Sequence, residues 1–102
     1  MLELRPTCEH CNTALPPEST EARICSFECT FCSACADGLL DNVCPNCGGG
    51  FEARPIRPSQ DRKGEHFLGK YPAWTKARYR PVDLVAHAAL VGVLKSIPPQ
   101  AR

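Results

Sequence analysis

Apolar positions along this chain fall into three regimes, and each predicts a different kind of element. In residues 1–50 they are short and scattered. Arg23 to Phe27 and Thr30 to Phe31 are β-prone pieces that predict a small hairpin. Residues 36–42 predict about two helical turns with Leu39 and Leu40 facing the core, weakened by Gly38. Residues 12–24 read as a polar loop around Pro16 and Pro17. From Phe51 to Arg80 prolines interrupt scattered charge and no period emerges, so an extended linker is expected.

The third regime is periodic. Val82, Val85, Ala86, Ala89, Leu90, Val93 and Leu94 recur at helical spacing as one apolar face, which Leu84, Ala88 and Val91 widen. Pro81 suits a first helical turn, Asp83 and Lys95 suit the positive and negative ends of the dipole, and Pro98 and Pro99 stop the chain from continuing. The prediction is an amphipathic helix over 81–97, about 25 Å long and too short for a bilayer core. The organisation expected is a head (1–50), a basic, aromatic linker (51–80) and this C-terminal helix.

Composition changes the picture of the head. All eight cysteines of the 102-residue chain lie there, as Cys8-x2-Cys11-x13-Cys25-x3-Cys29-x2-Cys32-x2-Cys35-x8-Cys44-x2-Cys47. Half a chain of this length is too short to be held by a hydrophobic core alone, so disulfides or metal must contribute. Disulfides belong with a secretory leader. Residues 1–7 show no basic region followed by an apolar run, and no stretch is long and apolar enough to span a membrane, so a cytoplasmic chain with reduced thiols is expected. Eight thiolates suffice for two structural Zn2+ ions with four ligands each. Such ions could be shared sequentially, Cys8, Cys11, Cys25 and Cys29 against Cys32, Cys35, Cys44 and Cys47. They could also be interleaved, Cys8, Cys11, Cys32 and Cys35 against Cys25, Cys29, Cys44 and Cys47. A catalytic zinc needs an open position, and this count leaves none, so neither an enzyme nor a small-molecule substrate is expected. His10, His66 and His87 are read as ordinary residues rather than ligands.

Charge adds a polarity. Residues 1–50 carry a net −5 and residues 51–80 a net +5. Two Zn(Cys)4 sites would bring the head to about −9. The linker also holds five of the seven aromatic residues. Folding of the basic linker onto the acidic head is the favoured expectation, and binding of nucleic acid by its bases and aromatics is the alternative.

The cysteine order resembles the RING finger, a treble-clef-related cross-brace with the pattern C-x2-C, C-x-H/C, C-x2-C, C-x2-C. The x13 loop, the x8 spacing and Pro45 fit it, with Cys29 standing where many RING fingers have histidine. The resemblance implies the interleaved pairing. Two positions depart from the ubiquitin-ligase version: His10 replaces an aliphatic residue and Gly48 a basic one. A narrower likeness rests on residues 1–8, Ile24 to Cys32, Cys44 to Gly49, Lys70 to Ala73, and the non-ligand run Leu15, Pro16, Pro17. These are similar to domain of unknown function 1272, a bacterial family of small zinc proteins with no assigned reaction, over roughly residues 1–80.

The fold expected is therefore a small metal-stabilised α+β domain with two structural zinc sites, an extended linker and a C-terminal helix. The function expected is a non-catalytic module for protein–protein interaction, through a partner protein or self-association of the 81–97 helix. Alternatives are nucleic-acid binding, a thiol or zinc redox switch, and a ligase-like RING. The Cys32-x2-Cys35 pair lacks the βαβ setting of a redox motif and is read as structural.

Overall fold

The β-prone pieces of the head do pair. In this computed structural model, which describes all of residues 1–102, β1 (Ala22–Ile24) and β2 (Thr30–Cys32) form an antiparallel hairpin with Ala22 opposite Cys32 and Ile24 opposite Thr30. Its turn closes through Glu28, whose left-handed φ of 67° lets Cys25 N–H reach the Cys29 carbonyl at 3.2 Å. The sheet has a third strand. β3 (Glu52–Ala53), inside the expected linker, pairs with the free edge of β1 to give the order β2-β1-β3. Two residues are too few to display the alternation that marks a strand; only the unpaired edge of β1 selects them.

A single wide helical turn, Ala34–Leu39, follows β2, with Leu40 N–H donating to the Cys35 carbonyl at 2.8 Å. Leu40 is fully buried, but Leu39 is exposed, against expectation. Successive residues on a helix point about 100° apart, so one narrow face does not take both. The core is small: Phe31 meets Phe51 edge-on at 5.4 Å, joined by Leu15, Ala22, Ala36 and Leu40. Of the 20 buried residues in the chain, six are cysteines, so much of what would be hydrophobic core is sulfur.

Residues 54–82 wrap the head through polar anchors. Buried Arg54 donates to the carbonyls of Arg5, Leu15 and Pro16 at 2.9–3.1 Å, and Arg57 to that of Leu2 at 2.8 Å. Main-chain N–H groups of Trp74 and Arg80 reach the carbonyls of Leu4 and Glu9 at 3.0 and 2.8 Å. Val82 N–H donates to His10 Nδ1 at 2.9 Å, so His10 anchors the returning chain.

The C-terminal helix, α1 (Leu84–Leu94), is shorter than expected because Asp83 is its cap: one carboxylate oxygen accepts from the N–H groups of Val85 and Ala86, both at 3.1 Å. Its seated face also differs from the periodicity reading. His87 is buried at its centre, donating Nε2–H to the Val43 carbonyl at 2.7 Å, with Leu90, Val91 and Leu94 half-buried along the same line. Val85 and Val93, read as part of one continuous apolar face with the residues that seat the helix, are 85% and 65% exposed. The helix is apolar nearly all round, so spacing alone does not choose a face. A hydrogen bond to a buried carbonyl does. Beyond it, Arg102 Nη1 donates to the carbonyls of Asn42 and Gly48 at 3.0 and 3.2 Å.

His87→Ala should cost about 1–3 kcal/mol, the penalty for leaving a buried carbonyl unpaired. Amide exchange across 84–94 should accelerate with it. If urea unfolding shows the loss while helix exchange stays unchanged, His87 is not what seats α1.

Candidate metal centres

Two of the cysteine pairs sit in the same turn. In the first, Asn12 N–H donates to the Cys8 carbonyl and Cys8 N–H to the Thr13 carbonyl, both at 2.9 Å. In the second, Gly48 N–H donates to the Cys44 carbonyl and Cys44 N–H to the Gly49 carbonyl, both at 2.8 Å. Each turn places the residue after its second cysteine in the left-handed region, Asn12 at φ 63° and Gly48 at φ 77°. Asparagine and glycine are the residues that tolerate it. At Gly48 a Cβ would also come within 2.9 Å of Leu94, so α1 lies directly on the second turn.

These turns and the hairpin bring the thiols into two interleaved groups. Cys8, Cys11, Cys32 and Cys35 form one, with all four sulfurs within 4.8 Å of one another. Cys25, Cys44 and Cys47 form the other under the same limit. Cys29 lies outside that mutual set but beside it, accepting from Asn46 Nδ2 at 3.4 Å. The sequential partition is not what the chain adopts. No two cysteines form a disulfide.

The spacing suits a metal. Four sulfurs held about 2.3 Å from a tetrahedral centre stand about 3.8 Å apart, and Cys11 Sγ lies 3.8 Å from Cys32 Sγ. Main-chain N–H groups point at the sulfurs as well, Phe27 to Cys25 at 3.3 Å and Gly49 to Cys47 at 3.4 Å. Such bonds favour thiolate.

Each group contains one sulfur biased to ionise. Burial raises the Cys11 thiol, but hydrogen bonds from Thr13, Cys8 and Cys32 outweigh it and bring it down to about 6. The Cys44 thiol does the same for Cys29, against burial and with help from Asn46, Cys25 and the charge of Arg5, bringing it to about 5. Their neighbours move the other way. Burial pushes Cys25 up to about 11 and raises Cys32 and Cys35, while hydrogen bonding to Cys29, with burial, raises Cys44. A cation entering either cluster would compete with protons for these sulfurs.

Thr13 and Asn46 were not legible as part of these sites. Each lies two residues after a cysteine in its turn, but only the folded turn aims its side chain at sulfur. His10 is in a knuckle without joining either thiol group, and His66 is exposed in the wrap.

Fold and site together define a small cysteine-rich α+β protein whose thiol clusters are compatible with metal binding. The chain belongs to the family described as protein of unknown function (DUF1272), whose profile matches residues 1–57. It is also similar to an uncharacterised protein of Rhizobium meliloti (strain 1021), 51% identical over 81 residues that cover 79% of this chain and 89% of the relative. No solved structure matches it. No helix is long and apolar enough to cross a membrane.

Proposed function

We propose that this protein is a non-catalytic binding module whose head is held by two structural zinc ions. Cys8, Cys11, Cys32 and Cys35 would hold one, and Cys25, Cys29, Cys44 and Cys47 the other, in a RING-like cross-brace. The zinc would crosslink segments distant in sequence and stand in for the core a head of this size is too small to build. The observation that carries the reading is the four-thiol group, whose members come from two separate segments yet lie within 4.8 Å of one another. Sulfur at every metal position leaves no place for substrate or an activated water, which favours binding over catalysis. The surface assigned to binding is the outward side of α1, where Val85, Ala89 and Val93 form an uncharged exposed stripe. A second copy of the chain is the occupant to test first, because a two-fold pair covers the same stripe on both copies.

Native mass spectrometry of protein purified reduced and without chelator tests both parts. Two zinc ions per chain are expected. A metal-free chain lighter by about 8 Da would carry four disulfides and overturn the zinc reading. The same spectrum should show a dimer that the double variant Val85→Glu, Val93→Glu converts to a monomer still carrying two zinc ions. A wild-type monomer at the highest soluble concentration would rule out self-association.

A further inference from the structure

The basic linker folds back on the acidic head, but its charges do not meet the head's carboxylates. The ion pairs are Arg5 with Glu3 and Glu9, Lys70 with Glu65, and Lys95 with Asp41; none joins a cation of residues 51–80 to an acid of residues 1–50. Arg54 and Arg57 go to carbonyls and are committed to the fold. What is left concentrates in one strip.

Residues 74–80 read Trp74, Thr75, Lys76, Ala77, Arg78, Tyr79, Arg80, with three cations, two aromatics and no acid. Every one of the seven is exposed and none lies in a helix or strand. The strip is tied at its two ends, Trp74 N–H to the Leu4 carbonyl at 3.0 Å and Arg80 N–H to the Glu9 carbonyl at 2.8 Å. Between them no main-chain bond forms. It is a displayed, irregular segment with a bend at Lys76, and its ends are fixed. Arg78 lies over the Trp74 ring at 5.5 Å, which presents its guanidinium as a flat charged face. Tyr79 is 52% exposed and covers no core. Asp83, three residues beyond Arg80, is engaged in capping α1, and Glu9, whose carbonyl holds the Arg80 N–H, has its carboxylate buried and paired with Arg5; neither forms an ion pair with the strip.

We infer that residues 74–80 form a binding strip for single-stranded nucleic acid, with Lys76, Arg78 and Arg80 on successive phosphates and Tyr79 and the Trp74–Arg78 pair against exposed bases. Charge alone would suit any polyanion. Aromatic groups interleaved with the cations favour a ligand that offers π-faces as well as phosphates. Nothing in the strip reads base edges, so little sequence preference is expected. This inference is independent of the metal reading.

The test uses the full-length protein and short oligo(dT) and oligo(U). Trp74 is the one tryptophan of the chain, so its fluorescence reports this strip directly. Quenching by both oligonucleotides is expected. Three phosphate contacts on a single strand predict a log–log salt slope of about −2, or about a 20-fold loss of affinity from about 50 to about 200 mM salt. Lys76→Ala should make that slope shallower by about 0.7. Tyr79→Ala should weaken binding about fivefold or more and leave the slope alone, since stacking releases no counterions. No quenching at low salt would overturn the inference. So would equal quenching by heparin or anionic lipid vesicles with Tyr79→Ala silent, which would make the strip a general anion or membrane contact.

Discussion

Chelation at neutral pH should abolish the cooperative thermal unfolding of this protein, and restoring zinc should bring it back. A structural zinc contributes about 10 kcal/mol or more, against about 1.5–3 kcal/mol for each large apolar side chain buried. Only 20 residues are buried and six of those are cysteines, so little remains to hold the head once its sulfurs lose a common partner. Acid should act in the same direction. In the proposed two-zinc head protons and metal would compete for the same sulfurs, so stability is expected to be highest at neutral pH and above and to fall as pH is lowered. Circular dichroism melts with and without chelator decide the matter, and a melt that chelator leaves unchanged would sink the structural role of the metal.

Glu9→Ala should be the most damaging change outside the cysteines, costing about 3–5 kcal/mol. Glu9 and Arg5 are almost fully buried and meet at 2.9 Å, and the same Glu9 oxygen accepts Thr30 N–H at 2.6 Å. One carboxylate therefore joins the N-terminal lead-in, the first cysteine turn and β2. Removing it leaves Arg5 Nη1 and the buried Thr30 N–H unpaired together, with only the less buried Glu3 to hold the other side of the guanidinium. Glu3 also binds Arg5, at 3.0 Å, but from a more exposed position. Glu3→Ala should then cost only about 0–1 kcal/mol. Urea unfolding of the two variants at equal metal content makes the comparison, and equal losses would show that the buried pair is not the anchor.

Local chemistry is what made parts of this molecule readable in advance. A cysteine pair with two residues between is a tight turn wherever it occurs, and Asn12 and Gly48 carry the backbone freedom it needs. Residues 22–32 alternate strand-forming side chains around a turn, and they pair as expected. Asp83 was legible as an acid at the positive end of the last helix, and the fold makes it the cap itself. The likeness to family 1272 was carried by residues such as Leu15, Pro16 and Pro17, and the family profile bears it out.

Other features depended on groups that meet only after folding. Spacing allowed two partitions of the cysteines, and the hairpin settled the grouping by carrying Cys32 to Cys11 and turning Cys25 toward Cys44. β3 exists because β1 has an open edge. Arg54, His10 and His87 bond atoms 38 to 72 residues away, so no local pattern marks them. The face of α1 is the clearest case. By itself the sequence determined that residues near 84–94 are helical and apolar, because helix propensity and capping are short-range. Only the tertiary structure decided which side turns inward, because a helix apolar nearly all round is oriented by the one polar contact it must bury, the bond from His87 to the Val43 carbonyl.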